Sequence, residues 1–66
     1  MNCIRTLREE RQLSLRELAH FVDIAHTTVS RLERGETDVS AEVKARIART
    51  LRVPITEVFP QAEQAP

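Results

Sequence analysis

With 66 residues, the chain has room for one small domain and none for the deep cleft an enzyme needs. Its 10 basic and 10 acidic side chains cancel, which argues mildly against a binder held by overall positive charge and leaves the placement of the cations to decide. A single cysteine excludes an intrachain disulfide and no apolar run nears a membrane span, which takes ~20 residues, so the chain is expected to be cytoplasmic, free of membranes, and dependent on well-packed helices or a second copy of itself.

Residues 3–12, CIRTLREERQ, read as a first helix with Ile4 and Leu7 inward and Arg5, Glu9 and Gln12 outward; Cys3 is expected on that helix as a small apolar residue. Leu13 carries the buried set into a very short connection, so the first two helices must be close neighbours. Ser14 is a good N-cap, and Glu17 three residues on completes a capping-box pattern. Leu18, Ala19 and Val22 recur at helical spacing until Asp23, a residue that tolerates a left-handed turn, and Ile24 plugs the core from within that turn. A third helix runs from about His26 to Glu33, with Val29 and Leu32 inward. Its outward positions His26, Thr27, Ser30 and Arg31 are nearly all hydrogen-bonding side chains, a face suited to reading a polar surface.

RGETDV, residues 34–39, carries the only glycine and reads as a surface loop. Ser40 caps a fourth helix with Glu42 in its first turn, Val43, Ile47, Ala48 and Leu51 inward, and Lys44, Arg46 and Arg49 exposed. Val53-Pro54 forces an extended step, and Ile55 to Phe59 form a short fifth helix that Pro60 stops. The tail QAEQAP, residues 61–66, has no sizeable packing residue and is expected to be disordered. No strand period interrupts this pattern, so the expected fold is all-α. Cys3, His20 and His26 lack the spacing of a metal site, and no nucleophile, acid or base stands out, so neither metal, cofactor nor enzymatic activity is expected. Nine of the ten basic residues are arginine, whose planar fork of donors fits phosphates, guanine edges and carboxylates alike.

In order and spacing, LRELAHFVDIAHTTVSRLERGE, the Ser-capped KARIARTLRV and the closing PITEVF resemble the helix-turn-helix domain of the phage repressor and Cro family, also called the XRE family, over about residues 4–59. The resemblance implies a four-helix lambda-repressor-like DNA-binding domain with a short fifth helix over residues 1–60, its motif at about 14–35. The third helix is then the recognition helix, placed in the major groove of double-stranded DNA. His26, Thr27, Ser30 and Arg31 are the implied base-contacting residues, Arg31 able to grip O6 and N7 of a guanine. Ser14, Leu15, Arg16, Thr28, Arg34 and Gly35 are the implied backbone contacts, around free amides that favour a phosphate. Arg8 and Glu33 match positions that form a structural ion pair between the first and third helices.

Val53, Ile55, Val58 and Phe59 are the implied dimer interface, with Ile55 or Val58 partly exposed on one copy and covered by another. Such a homodimer would set two recognition helices about one DNA turn, roughly 34 Å, apart on a pseudo-palindromic operator, and the resemblance implies a transcriptional repressor. The chain also departs from the family pattern. Leu15 stands where many relatives have Gln, Asp23 where the turn usually has Gly, and Ala25 where a Ser or Thr cap is usual; Glu36 and Asp38 put acid in a loop that is often basic. That acidic loop and the neutral net charge motivate the alternative of a protein-interaction module using the same fold to bind another regulator.

Overall fold

The computed structural model describes residues 2–60, so the tail expected to be disordered lies outside the described residues. Five helices follow one another: α1 (Ile4–Glu10), α2 (Leu15–Val22), α3 (His26–Glu33), α4 (Ala41–Leu51) and α5 (Ile55–Val58). Local chemistry starts two of them. Ser14 Oγ accepts from the Glu17 amide at 3.0 Å while Glu17 Oε1 accepts from the Ser14 amide at 2.7 Å, a reciprocal capping box. At α4, Ser40 Oγ accepts from the Val43 amide at 3.2 Å.

The four longer helices, α1 to α4, share one kind of ending. Gln12, Asp23, Gly35 and Arg52 all have positive φ, at 55°, 60°, 74° and 61°. In each case the next residue's amide reaches back to a carbonyl five residues earlier: Leu13 to Arg8, Ile24 to Ala19, Glu36 to Arg31 and Val53 to Ala48. This is the Schellman motif, which satisfies helix-end carbonyls by turning the chain through the left-handed region. Three of its four residues following the turn, Leu13, Ile24 and Val53, pack on the core. The fourth is Glu36.

The core draws on every helix: Ile4; Leu18, Ala19 and Val22; Val29 and Leu32; Ile47, Ala48 and Leu51; then Val58 and Phe59. The α2 helix packs against α3 and α4, and α5 against α4. Arg11 adds a polar staple, its Nε donating to Leu51 O at 2.6 Å and its Nη1 to Leu7 O at 2.9 Å.

Several expectations are corrected. The α1 helix stops at Glu10 and Gln12 forms the turn, while Cys3 is the exposed residue preceding α1 and its amide donates to Val58 O at 2.9 Å. Lys44 is half-buried, because its stem lies along the core: Nζ sits 5.4 Å from the Phe59 ring centroid and 3.2 Å from Asp38 Oδ1. Arg46 is likewise half-buried. Val58 is 0% exposed and Phe59 only 7%, and Phe59 follows α5 instead of closing it. As neither side chain stands on the surface, of the four residues expected at a dimer interface only Val53 and Ile55 offer partly exposed apolar area.

The capping box carries a pH signature. The Ser14 amide, and then the Ser14 hydroxyl, hold the Glu17 carboxyl below its ordinary value of 4.5. A carboxyl depressed by folding contributes stability above its unfolded value, and that contribution disappears as pH falls through the folded one. Glu17→Gln is therefore expected to be less stable than the parent near neutrality and to lose that disadvantage as pH drops from 4.5 downward. Urea midpoints of the two proteins across the acid range check this; parallel pH profiles would contradict it.

Candidate nucleic-acid interface

The helical period that buries Val29 and Leu32 turns the opposite face of α3 outward. His26, Thr27 and Arg31 are exposed on that face, and Thr28 and Ser30 are half-buried beside it. The start of α3 is an extended Ala25 with no side-chain cap, so no side chain competes for the amides of its first turn. Ser14 and Arg16 are exposed at the start of α2, whereas Leu15 is half-buried against the core.

The beginning of α2 and the end of α3 come together. Leu15, Ser30, Glu33 and Arg34 line one shallow cleft of about 300 Å³ with Arg5 and Arg8 from α1. Within it Arg8 and Glu33 form a bidentate pair, Nε to Oε2 at 2.8 Å and Nη2 to Oε1 at 3.4 Å, with only 11% and 7% of their side chains exposed. Arg8 Nη1 also donates to Leu13 O at 2.9 Å. One guanidinium thus ties α1 to α3 and to the connection before α2, fixing the tilt of α3 against its neighbours.

The remaining cations differ in how they are held. Arg5 pairs with Glu9 at 3.3 Å along an exposed turn of α1. Arg34 is held three ways, its Nε and Nη2 on the Glu36 carboxylate at 2.9 and 3.2 Å and its Nη1 on Ser30 Oγ at 3.2 Å. Among the described residues no carboxylate holds Arg16 or Arg31. Gly35 is exposed at φ 74°, and a Cβ there would meet nothing within 4 Å, so glycine eases the left-handed backbone conformation and does not serve to make space.

Sequence reasoning passed over three residues. Asn2 Nδ2 donates to Leu32 O at 2.8 Å and Asn2 Oδ1 accepts from the Ile4 amide at 3.2 Å, joining the start of α1 to the end of α3; an Asn two residues before a helix is a signal that could have found it. Arg5 lines the cleft, but its outward position carried no cue to which face it shares. Phe21, 62% exposed, is the exposed large hydrophobic residue among those described, and its ring meets His20 edge-on at 5.9 Å.

A helix-turn-helix family model matches residues 4–58, whereas no curated protein matches the chain. Among solved structures, a crystal structure of the clp gene regulator ClgR from Corynebacterium glutamicum is 31% identical, with a TM-score of 0.82, covering 94% of this chain and 66% of that one. A second ClgR structure from C. glutamicum is also 31% identical, with a TM-score of 0.78, covering 94% of this chain and 80% of that one.

Proposed function

This chain belongs to the helix-turn-helix family of DNA-binding transcriptional regulators, and from that premise we propose that it is a sequence-specific repressor that acts in the cytoplasm as a homodimer with α3 in the major groove. The observation that carries the reading is the outward face of α3. His26, Thr27 and Arg31 are exposed there, on a helix anchored beneath by Val29 and Leu32. A helix fixed from below with donors above is what reading base edges requires.

In this reading Arg31 grips a guanine, His26 and Thr27 meet neighbouring bases, and Ser30 and Thr28 sit at the margin. The exposed Ser14 and Arg16 at the head of α2, with the Gly35 backbone, take phosphates, and Arg34 takes one only by leaving the Glu36 carboxylate. Leu15 contributes backbone and packing, its side chain being turned to the core. Val53 and Ile55 supply apolar area for a second copy, and dimerisation joins two weak half-site contacts into one useful affinity.

Mobility shifts with genomic fragments test the proposal. At low salt the protein is expected to prefer some fragments, and Arg31→Ala to lose roughly 1–3 kcal/mol of discrimination at one base position. If no fragment is preferred and Arg31→Ala changes nothing, the reading fails. Phe21 favours a second reading, an interaction module for another regulator, since an aromatic ring left 62% exposed on α2 is a feature of protein contacts.

A further inference from the structure

The four Schellman endings place a residue in the same backbone position each time, and three of those residues are apolar and packed on the core. Glu36 is the exception. Its amide is fixed to Arg31 O at 2.9 Å and the left-handed Gly35 turns it back toward the end of α3, so the carboxylate is delivered to Arg34 by the backbone. There it takes Nε and Nη2 of the guanidinium with both oxygens, at 2.9 and 3.2 Å, while Ser30 Oγ takes Nη1 at 3.2 Å. Two oxygens on a planar fork is also how a phosphate binds arginine.

Resting on the reading of the chain as a DNA binder, we infer that Glu36 is a built-in phosphate mimic that occupies Arg34 and suppresses sequence-independent binding to duplex DNA. A DNA phosphate reaching Arg34 must displace a carboxylate already seated there. The exchange trades one anion for another, so little counterion release accompanies it and Arg34 contributes little to non-specific affinity. Arg31, which no carboxylate holds among the described residues, stays ready to meet a base edge. Silencing this backbone contact lowers affinity for every sequence, so that binding depends more heavily on the base contacts. Glu36 is in these terms a positioning residue that works through Arg34.

The test measures binding of a mixed-sequence duplex as a function of salt for the parent, Glu36→Gln, Arg34→Ala and the double variant. Both side chains are more than half exposed, 57% for Arg34 and 51% for Glu36, so all four proteins are expected to fold, which circular dichroism verifies. Glu36→Gln frees Arg34, and its log–log salt slope is expected to steepen by about 0.9, or about a 3.5-fold greater loss of affinity between about 50 and 200 mM salt. In the Arg34→Ala background the same substitution is expected to change nothing. A Glu36→Gln slope equal to the parent's overturns the inference alone. So does an effect that persists without Arg34, which would be a general gain of charge and not a released contact. If none of the four proteins retains duplex at low salt, the DNA-binding reading falls and the inference with it.

Discussion

Arg8→Ala is expected to destabilise the protein by up to about 3–5 kcal/mol, because truncating one member of a largely enclosed ion pair leaves the other charge without compensation. Glu33 would remain with 7% of its side chain exposed, and Leu13 O would lose its donor. A domain this small has roughly 0.05–0.15 kcal/mol of stability per residue, so the loss approaches the whole. Urea unfolding is expected to show a midpoint far below the parent's. The double variant Arg8→Met, Glu33→Met is expected to recover most of the deficit, since two apolar side chains of similar length leave no orphaned charge. A single-variant cost below about 1 kcal/mol would class the pair with ordinary surface bridges and remove it as the brace of α3. The double variant also separates stability from function: if it is stable yet binds DNA poorly, the pair matters for the tilt of α3 and not only for folding.

Leu32→Ala is the second large effect. Leu32 is 2% exposed on the inner face of α3, and its removal from a packed core should cost about 3 kcal/mol, through lost burial and the cavity left behind. For a domain of this size that corresponds to a melting temperature roughly 12–24 °C lower. The same carbonyl that serves Asn2 and Gly35 belongs to this residue, so loosening it should loosen the end of α3 as well. Thermal unfolding followed by circular dichroism measures the shift, and added operator DNA should restore part of it by mass action. A shift of only a few degrees would be inconsistent with Leu32 as a pillar of the core.

What could be read from the sequence alone divides along a physical line. The Ser14–Glu17 box, the Ser40 cap and the turn at Asp23 were legible because each is decided within a few residues. The outward face of α3 was legible because Val29 and Leu32 set its phase. The end of α1 was not, and neither was the left-handed turn that closes α4. Gln12 and Arg52 adopt the left-handed region against their own preference, at a cost of about 1–2 kcal/mol each, which burial of the following Leu13 and Val53 helps to offset. That compensation is tertiary and leaves no local mark. Lys44 was misjudged for a related reason, since a lysine can cover Phe59 with its stem and still reach Asp38.

The C-terminal set posed a different difficulty. Four residues of α5 are too few for periodicity to tell an inward apolar side chain from one reserved for a second copy. Val58 and Phe59 resolve to the core, Val53 and Ile55 to its rim. At the site, spacing alone placed Ser30 and Arg34 one turn apart. It carried no information that they would bind each other, or that Glu36 would close the set.

The bond from the Cys3 amide to Val58 O, 2.9 Å long, bears on how the molecule is made. It joins the stretch before the first helix to the last helix, across nearly the whole described chain. The contact cannot form until α5 has been made and has docked on α4. Long-separation contacts of this kind close late and slow the search for the native state. The two ends of the described chain are therefore tied together in a late step, and a chain truncated before residue 58 would lose both the partner of the Cys3 amide and the cover that α5 gives α4.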